Sequence, residues 1–231
     1  MHCTRLDWDG SKEVLNMSTQ NGSQKRLQNK IQRLVIMSIL VAIVAVLQYF
    51  GGVISIPGTG LSITLTLVPI VLGAILYGPI FGSVLGTVFG LVVALSVLQG
   101  TAGVLAANMF AEKPFLTIFL CIFKGLCCGL VAGLIGKFLL KKKLYLGVIL
   151  AAIACPVVNT GIFSLGLVVF YREIAMSFAG NATLFAFVIF GIVGVNFLIE
   201  LATNVICAPV IVRVIQALKK SGVLKLDTGN V

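Results

Sequence analysis

The run "FLCIFKGLCCGLVAGLIGKFL" fills residues 119–139 and carries only two charges, Lys124 in its first third and Lys137 close to its end. About 20 consecutive apolar residues in a helix cross a hydrocarbon core of about 30 Å. A lysine inside such a run is costly in lipid or in a protein interior, so it marks a place where something specific meets it. Gly125, Gly129 and Gly133 recur every four residues and share one helix face. The stretch therefore predicts a membrane helix with one face made for close packing and a cation set into it.

The rest of the chain has the same texture. Of 231 residues, 59% are hydrophobic and 10% are charged, with a mean hydropathy of +1.12. No soluble domain of this length needs so much apolar surface, so the composition predicts an all-α integral membrane protein. Apolar segments fall at 34–54, 61–77, 80–98, 114–138, 144–170 and 185–212, which predicts a compact bundle of six transmembrane helices. Gly78 and Pro79 form a tight turn between the second and third.

The net charge of +10 is topological. Lys25, Arg26, Lys30 and Arg33 precede the first segment, Lys137, Lys141, Lys142 and Lys143 separate the fourth and fifth, and Arg213, Lys219, Lys220 and Lys225 follow the last. Lys113 and Arg172 are the basic residues of the other side, each beside an acid, Glu112 and Glu173. Six spans with both termini cytoplasmic place every basic cluster inside. Nucleic acid is not the expected partner of this charge. The chain accordingly divides into a cytoplasmic polar tail 1–33, a membrane domain 34–213 and a cytoplasmic tail 214–231. Met17 reads as an alternative start, so residues 1–16 are set aside from the fold.

After the first segment, "GGVISIPGTGLSITLTL" (Gly51 to Leu67) breaks helix with Gly51, Gly52, Pro57, Gly58 and Gly60, then alternates Ser62, Thr64 and Thr66 with Ile63, Leu65 and Leu67. A period of two fits an extended loop dipping into the outer face; an ordinary helix start tolerating threonine is the other reading. Gly82, Gly86 and Gly90 repeat the four-residue glycine pattern on the third segment. Both glycine stripes predict tight helix crossings, with a partner in this chain or another.

Three later segments carry polar groups at membrane depth. They are Lys124 on the fourth, Asn159 and Thr160 on the fifth just after Pro156, and Asn196 and Glu200 on the sixth. Asn196, Glu200 and Asn204 are spaced by four and share a face. Pro156 removes one helical hydrogen bond and frees a carbonyl. Two readings stand: Lys124 and Glu200 pair and hold the bundle together, or these groups line a polar pocket between the later helices. Near the external mouth, Asn108 and Lys113 are further candidates, a basic residue there attracting an anion.

Cys121, Cys127, Cys128, Cys155 and Cys207 sit inside apolar runs as small hydrophobes, and His2 is the single histidine. No phosphate-binding GxxxxGK[ST], HExxH or GxSxG pattern occurs, so an ATPase, protease or hydrolase is not expected, nor is a metal or cofactor.

The stretches "LSITLTLVPIVLGAILYGPIFGSVLGTVFGLV", "FKGLCCGLVAGLIGKFL", "ACPVVNTGIFSLG" and "GIVGVNFLIELATNVICAPVIVRVI" resemble the substrate-binding S components of energy-coupling factor (ECF) transporters over roughly residues 31–218. Among these the chain looks most like the pantothenate-type group. The resemblance implies a transport subunit of the plasma membrane of a bacterium that binds a small water-soluble vitamin outside, pantothenate before riboflavin, folate or another micronutrient. It also implies docking on a membrane coupling protein that carries two cytoplasmic ATPases. The family's docking face includes small residues in an AxxxA pattern on the first helix; here the matching positions are Ser38 and Ala42, a partial departure. An autonomous secondary transporter or channel using Lys124 and Glu200 as an ion or proton relay is the competing function.

Overall fold

The computed structural model describes residues 8–51, 55–56, 61–62, 65–139, 143–180, 183, 186–187 and 195–220. Apart from one two-residue β pair, the regular elements are helical: α1 (Trp8–Gly51), β1 (Ser55–Ile56), β2 (Leu61–Ser62), α2 (Leu67–Tyr77), α3 (Pro79–Leu98), α4 (Val104–Glu112), α5 (Pro114–Leu139), α6 (Leu144–Phe170), α7 (Arg172–Ala179) and α8 (Val195–Lys220). The chain divides into two units, residues 1–38 and 39–231. The first is helical from Trp8, so helix already covers most of the polar stretch ahead of the first apolar segment. The second unit holds all the remaining elements.

Five helical stretches among the described residues are long and apolar enough to cross a membrane: Lys30–Gly51, Pro79–Leu98, Pro114–Leu139, Leu144–Phe170 and Phe197–Lys220. Four of them coincide with predicted segments to within a few residues. In the last, helix is described from Val195. The predicted span 61–77 departs from expectation. Its helix is only the 11 residues Leu67–Tyr77, about 16 Å long at 1.5 Å per residue, well short of the hydrocarbon thickness. Pro69 is the physical reason. A proline is tolerated in the first helical turn and breaks an interior, so a helix containing it begins close to Leu67. Ahead of it, Leu61–Ser62 pairs antiparallel with Ser55–Ile56, Ser55 opposite Ser62 and Ile56 opposite Leu61. The period-two alternation thus ends in strand pairing at its start and helix at its finish.

Short as it is, α2 sits at the centre of the second unit. Its sequence "LVPIVLGAILY" has no polar face, and a helix apolar all round is a buried one. Leu67, Ile70, Val71 and Ala74 are wholly buried, and α2 touches α3, α5, α6 and α8. Gly78, at φ 91°, turns the chain directly into α3, whose first residue is Pro79. Positive φ is the region glycine tolerates, so this one residue lets two helices meet without a loop.

α3 and α5 run antiparallel and interlock along their glycines. A Cβ placed on Gly82 would strike the carbonyl oxygen of Gly129; on Gly86, that of Gly125; on Gly90, the Cys121 oxygen at 2.6 Å. The relation is reciprocal, and a Cβ on Gly133 would lie 2.7 Å from the Pro79 nitrogen. The two predicted stripes are therefore each other's partner, backbone against backbone, which is the close van der Waals contact that associates helices where lipid gives no hydrophobic drive.

α5 and α6 are antiparallel as well, with a steady register. Thr117 meets Tyr171 at 2.8 Å, Leu120 fills the space over Gly166, Lys124 lies over Phe163, and Cys128 lies beside Cys155. On α6 the residues Cys155, Asn159, Phe163 and Gly166 follow helical spacing and form the stripe turned to α5. Away from these seams the helices expose large apolar side chains, among them Leu91, Leu95 and Leu98 of α3, Phe115, Phe119 and Phe123 of α5, and Leu198, Ile206 and Val210 of α8. Such a surface is stable against lipid tails.

Candidate functional site

Lys124 lies ten residues into α5, about 15 Å along the helix from Pro114. It is half-buried, and its Nζ stands 4.9 Å from the centroid of the Phe163 ring. A ring face attracts an ammonium through its quadrupole and leaves the charge in place, an interaction that strengthens where water is excluded. The glycines on the α3-facing side of α5 fix the rotation of the helix, so Lys124 is held toward α6. The question raised by a lysine in this run has a physical answer: an aromatic face receives it.

Asn159 sits one turn before Phe163 on the same α6 stripe. It is 7% exposed, and its Oδ1 accepts no hydrogen bond from the described residues. A buried polar atom left unpaired costs about 1–3 kcal/mol, and a persistent one calls for an explanation. On its other side the stripe continues to Cys155, which lies near Glu200 of α8 as well as Cys128. Lys124 faces this α6 stripe from α5, and Glu200 of α8 lies near its Cys155 end. Glu200 is half-buried. One turn on, Asn204 is wholly buried and donates its Nδ2 to the Glu200 carbonyl at 2.9 Å, leaving its own Oδ1 unpaired. Thr160 is half-buried in the column beside Asn159. Asn196 falls on the first turn of α8, and its side chain lies outside the described residues.

Both prolines inside the later helices loosen the backbone here. Pro156 cannot donate to the Ala152 carbonyl, and Pro209 of α8 cannot donate to that of Val205. Further unpaired buried atoms are Ser164 Oγ on α6, Thr66 Oγ1 just before α2 and Gln48 Oε1 near the end of α1.

The two remaining candidates lie elsewhere. Asn108 is exposed on α4. Lys113 is eleven residues from Lys124, about 16 Å along the helix, and is engaged in a clasp between the start of α5 and the end of α6. Its Nζ donates to the Phe170 carbonyl at 2.8 Å, pairs with Glu112 at 3.0 Å, and lies 5.4 Å from the Tyr171 ring centroid. The last carbonyls of a helix favour a cation. Beneath it, Thr117 Oγ1 donates to the Lys113 carbonyl at 2.9 Å, Tyr171 OH donates to the same carbonyl at 3.1 Å, and the two hydroxyls stand 2.8 Å apart. Two hydroxyl protons serve three close contacts, so they are shared. Burial pushes the Tyr171 phenol above its usual pKa, while the Thr117 hydrogen bond and the Lys113 charge oppose that rise.

The clasp sets an expected outcome. Tyr171→Phe loses the hydroxyl but keeps the ring, at a cost of about 1 kcal/mol, and thermal unfolding in detergent should fall by about 2–4 °C. An unchanged midpoint would show that the Lys113 carbonyl is served well enough by Thr117 alone.

Phe163, Thr117 and Tyr171 were not among the predicted site residues. Phenylalanines abound in this chain, and only the four-residue step from Asn159 marked Phe163. Tyr171 had a cue in its place directly after the apolar run that ends at Phe170.

Residues 32–212 match the family model of the ECF transporter, substrate-specific component. That match takes in most of the chain, and the chain belongs to this family. Comparison with curated proteins and with solved structures finds no match. Family membership makes this chain a multi-pass membrane protein and a transport subunit rather than an enzyme, with a small-molecule substrate and with membrane and ATPase partners.

Proposed function

We propose that this substrate-specific component captures a small water-soluble vitamin, pantothenate before riboflavin or folate, at a site built around Lys124 and Asn159, and delivers it inward with an ATPase-driven coupling module. One observation carries the reading: a buried amide oxygen with no donor among the described residues lies one helical turn from a phenylalanine that holds a lysine ammonium. A cation beside an unsatisfied acceptor suits a ligand with one carboxylate and a nearby N–H or O–H, and pantothenate has these. Glu200 and Thr160 extend the polar lining; Asn196, proposed with them, has its side chain outside the described residues. Asn108 and Lys113 stand at the mouth, Lys113 through its clasp.

The topology proposed is six crossings with both termini cytoplasmic, in the plasma membrane of a bacterium. α2 makes the second crossing together with the strand pair that precedes it. In support, the Gly78–Pro79 turn packs on Gly133, one helical turn from Lys137, which puts it at the end of α5 where the basic residues Lys137 and Lys143 gather. Ser38 and Ala42, both exposed on α1, offer small side chains for docking on the membrane coupling protein.

Mass spectrometry of the small molecule that co-purifies with the protein is the direct test, and a vitamin carboxylate is the expected result. Uptake into proteoliposomes by this chain alone, driven by an ion gradient, would instead establish an autonomous transporter with Lys124 and Glu200 as its relay.

A further inference from the structure

We propose that Phe163 is the positioning residue that keeps the Lys124 charge available to an anionic ligand. The inference rests on the reading of Lys124 as a substrate-binding cation and assigns a role to a residue outside that polar set. A lysine side chain has many rotamers and, at membrane depth, two poor alternatives. It can snorkel along the helix toward water, or it can pair fully with a carboxylate and lose its call on a ligand. The Phe163 ring, 4.9 Å from Nζ, offers a third arrangement. It attracts the ammonium without a proton acceptor or a formal charge, so an incoming carboxylate meets a cation that, among the described residues, gives up no stronger partner on that side.

The ring is itself held. Phe163 packs against the buried cluster of Met109, Leu120, Leu167, Tyr171 and Ala175. Tyr171 belongs to that cluster and is fixed by Thr117 and the Lys113 carbonyl. Leu120, one turn before Lys124 on α5, belongs to it too and occupies the space over Gly166. The clasp at the α5–α6 end therefore supports the ring, and the ring supports the lysine. A phenylalanine in an apolar helix is ordinarily packing alone; here one part of it packs and another carries a charge.

Two measurements test this. In the absence of any ligand, thermal unfolding is followed for Phe163→Leu, Lys124→Met and the double variant. Phe163→Leu should lower the midpoint by about 2–4 °C more in the native background than in the Lys124→Met background. Equal losses in both backgrounds would reduce Phe163 to packing and overturn the proposal. Pantothenate and its neutral alcohol analogue pantothenol are then titrated calorimetrically. Phe163→Leu should erode the preference for the carboxylate by about tenfold, and Phe163→Tyr, which keeps the ring face, should retain it. Leucine and tyrosine variants that discriminate alike would also overturn it. Should the native chain bind no pantothenate, the choice of vitamin falls, while the unfolding cycle still decides the role of Phe163.

Discussion

Gly86→Val is expected to leave no stably folded protein. A Cβ on Gly86 would strike the Gly125 carbonyl oxygen and lie 2.8 Å from its carbon, and a Cβ on Gly125 would strike the Gly86 oxygen and lie 3.1 Å from the Gly90 nitrogen. All of these are backbone atoms in the middles of two spanning helices, so no side chain can rotate out of the way. Relief requires α3 and α5 to separate, and separation undoes the neighbouring contacts at Gly82–Gly129 and Gly90–Cys121 together. Overpacking where side chains can adjust costs about 1–3 kcal/mol; a rigid clash that opens a whole seam belongs to the exceptional class above about 4 kcal/mol. Gly86→Ala, with the Cβ alone, should already lower the unfolding midpoint by about 5 °C or more. Gly161→Ala is the control: it too lies inside a spanning helix, but a Cβ there meets nothing within 4 Å. A Gly86→Val protein that elutes as a monodisperse peak and melts like the native chain would mean that the α3–α5 seam does not hold the bundle. Because Gly86 and Gly125 share one contact, the two alanine substitutions should combine to less than the sum of their separate effects.

This seam shows how the sequence speaks and where it stops. Four-residue glycine spacing announces close packing, but the spacing is the same whether the partner is a neighbouring helix or another subunit. The antiparallel register, with Gly82, Gly86 and Gly90 facing Gly129, Gly125 and Cys121, exists only once the chain is folded. Hydropathy located four of the five long spans to within a few residues because they are almost uniformly apolar; the last, predicted at 185–212, is found at Phe197–Lys220, where Glu200 and Arg213 interrupt the apolar run. It overextended 61–77 because a hydrophobic average does not distinguish a strand from a helix, and Pro69 was the stronger signal. The polar residues at membrane depth were legible for the same reason that makes them costly: in this chain a charge or an amide stands out. What those residues touch was not legible. Lys124 has an apolar ring over it, and Lys113, which reads as an electrostatic lure at the mouth, is engaged with the end of α6.

Asn159→Leu should separate stability from binding. As the chain stands, the Asn159 side chain is 7% exposed and its Oδ1 accepts no hydrogen bond from the described residues, so the fold carries a polar atom that contributes desolvation cost without that compensation. Leucine has the same branching and the same number of side-chain heavy atoms, and no polar atom. Replacing an unsatisfied group by an apolar one of similar shape is neutral or favourable, so the unfolding midpoint should hold or rise. If the amide is there for a ligand, affinity moves the other way, by tenfold or more, which is about 1.4 kcal/mol. Lys124→Met should weaken binding by at least as much, since it removes the charge while keeping a long apolar stem over Phe163. Calorimetry with the co-purifying molecule and thermal unfolding on the same preparations read both quantities. Lost stability with unchanged affinity in Asn159→Leu would show that the amide serves the bundle and not a ligand. Folding that fails in Lys124→Ala but survives in Lys124→Met would give Lys124 a structural part as well, because alanine removes the stem with the charge and leaves a cavity beside the ring. The two residues come from different helices and meet only through the α5–α6 register, so parallel losses of affinity from both would mark one site rather than two.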